Sequence, residues 1–258
     1  MVSLCSLQRR GGSHNTLLYI ASKEGPLKAV QVLLKHNADI TGPGGADINA
    51  IKDDGGTSLH VVSQYRKEAS LKVVKLLLSH GADPNFRDKQ GQTPINTAMK
   101  YGWLELAQLL LKHGADPHAR DDNGQILLHV ASSWGCLEAA QWVLELGVDV
   151  NSLENQGRTP LYVVWGTGED RVVELLMEHG ADLNARNNVD ATQLHTASRQ
   201  GELKIVEQLL KLGAYIHVRD KQGQTPFQVA LEWRLRDYDW SMVQRELRVL
   251  VPTSLRAR

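Results

Sequence analysis

The chain has 258 residues, which is long enough to bury a substantial core, and its 29 basic side chains balance its 29 acidic ones. With zero net charge and no basic run beyond Arg9-Arg10, nucleic acid is disfavoured as the partner. The chain nowhere has eighteen consecutive apolar residues, so the sequence predicts no membrane contact.

The two cysteines and the first residues bear on location. Cys5 and Cys136 are too few for a disulfide framework and do not form a CxxC motif, which is typical of a reducing compartment. Residues 1–8 lack the basic start and apolar run of a signal peptide. The sequence therefore predicts a cytoplasmic protein and leaves a nuclear location open.

One short phrase recurs along the whole chain. It begins at Thr16, returns 41 residues later at Thr57 and 36 residues later at Thr93, and then recurs every 33 residues. Self-similarity at a fixed period indicates a repeat architecture in which each copy is one structural unit. The copies are Thr16-Leu-Leu-Tyr19, Thr57-Ser-Leu-His60, Thr93-Pro-Ile-Asn96, Ile126-Leu-Leu-His129, Thr159-Pro-Leu-Tyr162, Thr192-Gln-Leu-His195 and Thr225-Pro-Phe-Gln228.

The copy at residues 88–116 shows the predicted elements in order. Asp88-Lys-Gln-Gly91 has the composition of a turn that ends in a glycine with positive φ. Thr93 followed by Pro94 predicts the cap and first residue of a short helix, whose apolar side chains are Ile95, Ala98 and Met99. Leu106, Leu109 and Leu110 predict a second helix, which His113-Gly114 ends. One copy is therefore a turn followed by two helices.

A T-P-L-H-x-A phrase with a period of 33 residues is the signature of ankyrin repeats, and this chain resembles the ankyrin-repeat family over nearly its entire length. The resemblance implies an all-α solenoid of helix–turn–helix units with a concave face and modified terminal caps. We expect an N-terminal tail or remnant at 1–12, an ankyrin-repeat domain at 13–251 and a C-terminal tail at 252–258. The repeats would begin near residues 11, 52, 88, 121, 154, 187 and 220.

Departures from the period are expected to lie in loops. Insertions occur around residues 41–45, 66–70 and 234–240, and the apolar residues Met242, Leu247 and Leu250 after the last one predict a C-terminal capping helix. Ile126 replaces the usual threonine and Asp190 replaces the usual turn glycine, so the fourth and sixth turns are predicted to be less rigid.

The histidines are predicted to be structural. His80, His113 and His179 occupy equivalent places at the end of the second helix, roughly 10 Å apart, which is too far for ligands of one metal ion. The resemblance implies that His60, His129 and His195 bond to the backbone of the neighbouring turn. The sequence thus predicts no metal site, no cofactor and no catalytic constellation. Cys136 is expected to pack as a small apolar side chain.

The exposed end of the first helix is where the resemblance places partner-binding residues. Tyr65, Tyr101 and Trp134 occupy the same step of three consecutive repeats, so they are predicted to form a stripe of roughly 20 Å. Aromatic residues are enriched in binding hot spots. The alternative is that they lean onto the next repeat and complete the core. Trp103 is assigned to the core, whereas Trp165 is ambiguous.

Two functions are compatible with these patterns. The first is a non-enzymatic, monomeric recognition scaffold that binds a protein partner on its concave face, as the resemblance implies. Its predicted binding residues are Tyr65, Lys89, Gln92, Lys100, Tyr101, Asp122, Gln125, Ser133, Trp134, Trp165, Arg199 and Trp233.

The second is a small-molecule-binding protein or unusual enzyme whose concave face closes into an aromatic pocket. Its walls would be Tyr65, Tyr101, Trp134, Trp165 and Trp233. The candidate polar groups have no evident acid–base partner, and they are His14, Asp53, Lys100, Asp122, Arg199 and Glu232.

Overall fold

The computed structural model describes residues 22, 28, 30, 31, 48–65, 68–165 and 170–232. Within these ranges the regular elements are helices, and consecutive helices pack together in pairs. In chain order they are α1 (Ser58–Ser63), α2 (Glu68–Ser79), α3 (Pro94–Lys100), α4 (Leu104–Lys112), α5 (Leu127–Ser133), α6 (Leu137–Glu145), α7 (Pro160–Val164), α8 (Asp170–Glu178), α9 (Gln193–Gln200), α10 (Leu203–Lys211) and α11 (Pro226–Glu232).

The chain divides into two compact units, Met1–Val148 and Asp149–Arg258. In the first unit, α1 packs on α2, α3 on α4 and α5 on α6, and the first helices α1, α3 and α5 also pack on one another in sequence. In the second unit, α7 packs on α8 and α9 packs on both α10 and α11. The described part of the chain thus contains five helix pairs and the first helix of a sixth, while the predicted count of seven repeats stays a prediction.

The core of each pair comes from the apolar positions that the sequence predicts. Ile95, Met99, Leu106 and Leu110 are fully buried between the helices of one pair. Trp103, the residue that precedes α4, is 3% exposed, so its assignment to the core is confirmed. Burial of such side chains is the main favourable term in stacking, because no single pair can cover both of its helix faces.

The turns join consecutive repeats through backbone hydrogen bonds. The amide of Lys89 donates to the carbonyl of Asp54 at 3.0 Å, and the amide of Asp122 donates to the carbonyl of Gln90 at 3.0 Å. Gly91 has a φ of 70°, and a Cβ there would meet the carboxylate of Asp122, so this turn requires a glycine for two reasons.

Asp190 occupies the corresponding turn position in the second unit. It adopts a φ of 59° without being a glycine, and its backbone carbonyl accepts a hydrogen bond from Arg186 at 3.2 Å. Aspartate tolerates the left-handed region better than most residues, which explains how this turn keeps the conformation of its equivalents.

The insertion at residues 41–45 and the predicted capping helix with Met242, Leu247 and Leu250 lie outside the described residues. So do residues 66 and 67 of the second insertion. No helix within the described ranges is long and apolar enough to span a bilayer.

Candidate functional site

The exposed aromatic residues of the first unit stand where the first helices end. Tyr101 and Trp134 are the residues that directly follow α3 and α5, and they are 48% and 58% exposed. In both cases the backbone amide still bonds to the carbonyl four residues earlier, Tyr101 to Thr97 and Trp134 to Val130, each at 3.2 Å. The two side chains therefore leave the helix at the same step of successive repeats, as the spacing predicts.

Tyr65, the third member of the predicted stripe, differs from the other two. Its helix α1 ends one residue earlier in the repeat, and its amide bonds to the carbonyl of Val62, three residues before it, at 3.1 Å. Its side chain is half-buried. We call Tyr65, Tyr101 and Trp134 the aromatic stripe, and the exposed aromatic area lies at its Tyr101–Trp134 end.

Lys100 connects the two exposed aromatic residues. It is the last residue of α3, and its Nζ lies 6.0 Å from the centroid of the Trp134 ring. This distance is at the limit of a cation–π interaction, which at an exposed site contributes about 0.5–1 kcal/mol. The contact holds an ammonium group beside the Trp134 ring, so the surface there combines aromatic area with positive charge.

A groove of about 340 Å³ runs from Tyr101 to the turn side of the same repeats. Four predicted site residues, Lys89, Gln92, Lys100 and Tyr101, line it together. The other lining residues were not predicted as site residues, and they are Asp54, Gly56, His60, Val61, Gln64, Asp88, Gln90 and Thr97. Asp54 and Asp88 could have been found from the repeat register, since they lie in turns of consecutive repeats.

The charges in this groove are mixed. Burial by itself would raise the pKa of Asp54, but the neighbouring Lys52 ammonium and the amide of Gly56 bring that pKa below its ordinary value. Asp88 uses its carboxylate to accept the backbone amides of Gln90 and Gln92 at 2.8 and 2.9 Å. The groove is therefore polar, with two carboxylates and Lys89 on the turn side and Lys100 on the helix side.

The other predicted residues of the first unit lie nearer to the turns or face their own helix. Asp122 forms an exposed ion pair with Arg87 at 3.0 Å. The amide of Gln125 donates to the carboxylate of Asp121 at 2.8 Å, and the hydroxyl of Ser133 donates to the carbonyl of His129 at 2.8 Å. The Ser133 hydroxyl is thus engaged within its helix.

Three predicted site residues belong to the second unit or lie beyond the described ranges. Trp165 is half-buried and lines a groove with side chains of α8 and α10, which are second helices. Arg199 is half-buried in the last turn of α9. Trp233 lies outside the described residues, as does His14 among the candidate polar groups. Whether these residues share one binding surface with the aromatic stripe stays a prediction.

His60 and His195, at the fourth position of the phrase, bond to the next turn as the resemblance implies, and the same bond for His129 stays a prediction. Nε2 of His60 is 3.0 Å from the carbonyl of Gln92, and Nε2 of His195 is 3.1 Å from the carbonyl of Gln224. On the other side of the ring, Nδ1 of His60 accepts the amide of Thr57 at 3.2 Å. Nε2 therefore carries the proton, and the neutral imidazole joins its own repeat to the next one.

The histidines that end the second helices are also structural. Nδ1 of His80, His113 and His179 lies 2.9, 3.0 and 2.8 Å from the carbonyl four residues earlier, so each ring satisfies one terminal carbonyl of its helix. Among the described residues, no three His, Cys, Asp or Glu side chains come together in a way that could hold a metal ion.

We expect acid to destabilise the protein through His60 and His195. Burial lowers the pKa of both rings below 6.5, while the carbonyl and carboxylate groups around them oppose this shift only in part. The unfolded chain therefore takes up protons first as the pH falls. The stability contributed by the neutral rings is present above pH 6.5 and is lost as the pH falls through the lower pKa values of the folded state. For each ring, the free energy of unfolding then falls by at most about 1.4 kcal/mol per pH unit.

Urea unfolding on both sides of pH 6.5 measures this effect. The matched control is the double variant His60→Asn and His195→Asn. Asn96 occupies the same position of the phrase, and its Oδ1 accepts the amide of Thr93 at 3.0 Å without titrating. The double variant should show a shallower loss of stability in acid. An unchanged pH dependence would mean that other groups control it.

The repeated unit, a turn, a short first helix and a longer second helix joined by inter-repeat turn bonds, defines a helical repeat protein. A family model described as "Ankyrin repeats (3 copies)" matches residues 3–88, 59–154 and 146–220, and the chain belongs to this family. No individually curated protein matches the chain in sequence.

Solved structures agree with this assignment. The ankyrin repeat domain of Bcl-3, described as a unique member of the IkappaB protein family, is 31% identical, with a TM-score of 0.66 over 84% of this chain and 94% of that one. The human ASB11 ankyrin repeat domain is 25% identical, with a TM-score of 0.70 over 91% of this chain and 97% of that one. Both are ankyrin repeat domains, a fold that commonly mediates protein–protein interaction.

Proposed function

We propose that this protein is a non-catalytic, monomeric recognition scaffold of the cytoplasm that binds a protein partner through the aromatic stripe and its flanking residues. The observation that carries the proposal is the exposure of Tyr101 and Trp134 on consecutive repeats, with the Lys100 ammonium beside the Trp134 ring. Large exposed aromatic side chains lose little conformational freedom on binding and are over-represented among hot spots.

The groove beside Tyr101 supports a protein partner better than a small molecule. Sites for small molecules are lined mainly by apolar and aromatic side chains, with a few polar groups. In this groove the large apolar or aromatic side chains are Val61 and Tyr101. Most of the other lining side chains are charged or carry an amide, such as Asp88, Lys89 and Gln92. A polar groove next to an exposed aromatic pair resembles the rim and centre of a protein interface.

We expect Trp134→Ala to weaken partner binding by about 2 kcal/mol or more, which is close to thirtyfold in the dissociation constant, because truncation removes both the ring and the contact with Lys100. A photo-crosslinking amino acid at position 101 would first capture the partner from an extract of the source cell. Titration calorimetry with the purified partner then gives the affinity of each variant.

Tyr215→Ala is the matched control. Tyr215 is a 65% exposed aromatic residue that belongs to the second unit and not to the aromatic stripe, so its loss should leave the affinity unchanged. Equal affinities of the wild type and Trp134→Ala for the captured partner would contradict the proposal. A loss in Tyr215→Ala as large as that in Trp134→Ala would also contradict it, since binding would then not be centred on the stripe.

A further inference from the structure

The second unit has an apolar groove on the side of its second helices, separate in sequence from the aromatic stripe. It has a volume of about 390 Å³, within the range of ligand pockets, and lies between α8 and α10. Its apolar lining residues are Trp165, Val173, Met177 and Leu212. Trp165 is half-buried and Leu212 is 45% exposed, so apolar area remains open to solvent in the groove.

One side chain in the groove departs from the repeat pattern. Gln208 of α10 stands at a position where the preceding second helices carry Leu109, Trp142 and Leu175. A side-chain amide between two helices needs a hydrogen-bond partner, which an apolar side chain does not. Nε2 of Gln208 donates to the carboxylate of Asp170 on α8 at 2.7 Å, and both residues line the groove beside its apolar side chains.

The rim of the groove is acidic along α8. Asp170, Glu174 and Glu178 are spaced by four residues, so they lie along one face of this helix, and all three are exposed. The equivalent positions of α4 are Leu104, Gln108 and Lys112, so the acidic row is not part of the repeat pattern. Lys211 is the single cationic residue among those that line the groove.

We propose that this groove is a second docking site, which binds a peptide segment of a protein partner that carries a large apolar side chain flanked by Lys or Arg. The apolar side chain of the peptide contacts Trp165, Val173 and Met177, and the carboxylates on α8 attract the Lys or Arg residues that flank it. Charge complementarity selects this occupant, because three carboxylates against one ammonium repel an anionic ligand. None of the residues that line this groove belongs to the aromatic stripe.

Fluorescence anisotropy with a labelled peptide of sequence Lys-Lys-Leu-Phe-Lys-Lys tests the proposal. Two comparison peptides separate its parts: Glu-Glu-Leu-Phe-Glu-Glu reverses the charge, and Lys-Lys-Gly-Gly-Lys-Lys removes the apolar side chains. We expect the first peptide to bind at least about tenfold more tightly than either of the others, and to weaken as ionic strength rises. Equal binding of the three peptides would overturn the proposal.

Variants then place the peptide in the groove. Glu174→Lys should weaken binding of the basic peptide about tenfold, and the milder Glu174→Gln should weaken it about threefold. The matched control is Glu105→Lys, which makes the same change at an exposed position of the second helix α4 in the other unit. Circular dichroism checks that each variant is folded. Equal losses in Glu105→Lys and Glu174→Lys would show general attraction to the protein surface, and the proposal would be wrong.

A second copy of the chain is the other occupant to test. Sedimentation velocity at increasing concentration would reveal a dimer, and Glu174→Lys would dissociate it if the groove formed the contact. A dimer of this kind without binding of the basic peptide would overturn the proposal. We expect instead that the peptide binds and that Glu174→Lys leaves the sedimentation coefficient unchanged.

Discussion

Leu110→Ala should lower the free energy of unfolding by about 2–5 kcal/mol. Leu110 lies on α4 and is fully buried between the helices of its pair, so truncation removes apolar contacts and leaves a cavity. Because each repeat is stabilised by its neighbours, the damage should spread beyond this pair. Urea denaturation followed by circular dichroism measures the change as a shift of the midpoint.

Two controls accompany this variant. Leu212→Ala makes the same change where the side chain is 45% exposed, and Gln90→Ala changes an exposed turn residue whose inter-repeat bond uses only the backbone. Both should alter the free energy of unfolding by about 0.5 kcal/mol or less. If Leu110→Ala and Gln90→Ala had the same midpoint, the assignment of buried and exposed positions within the repeat would be wrong.

Trp103→Ala should have an effect of similar or greater size, about 3–5 kcal/mol in the free energy of unfolding. Its ring is 3% exposed at the start of α4, and its backbone amide bonds to the carbonyl of Ala98 at 2.9 Å. Trp134, 58% exposed, stands in the adjacent repeat. Trp134→Ala should therefore change stability by about 1 kcal/mol or less, mainly through the weak contact with Lys100.

This pair of variants discriminates between the two interpretations of the aromatic residues. Truncating a core tryptophan lowers the free energy of unfolding, which the urea titration measures. Truncating a binding tryptophan lowers the affinity for the partner, which calorimetry measures. A loss of stability in Trp134→Ala as large as in Trp103→Ala would place Trp134 in the core. The proposed protein-binding surface would then lose its main aromatic residue, and the proposal would be wrong.

Much of the fold could be predicted because its determinants are local. The turn phrase, the proline at the first helical position of α3 and the glycine with positive φ at position 91 each act within a few residues, and each recurs at a fixed period. The buried position of Trp103 followed from its register in the repeat. The bond from His60 to the neighbouring turn followed from the family resemblance.

The candidate site could be predicted only in part, because exposure depends on what the next repeat places nearby. Tyr65 and Tyr101 occupy the same position of the sequence pattern, yet Tyr65 is half-buried whereas Tyr101 is exposed. Asp54 and Asp88 form part of the groove only because the turns of consecutive repeats are hydrogen-bonded side by side.

The sequence alone determined the repeat, its helix pairs and its buried positions, because spacing, helix caps and turn residues act along the chain and need no knowledge of distant neighbours. The tertiary structure alone decided which polar side chains meet in the groove beside Tyr101, and that Trp165 lies with second helices. It also decided that Gln208 meets the carboxylate of Asp170 in a groove that combines apolar side chains with the acidic row of α8. These outcomes depend on packing between repeats, which no pattern within a single repeat determines.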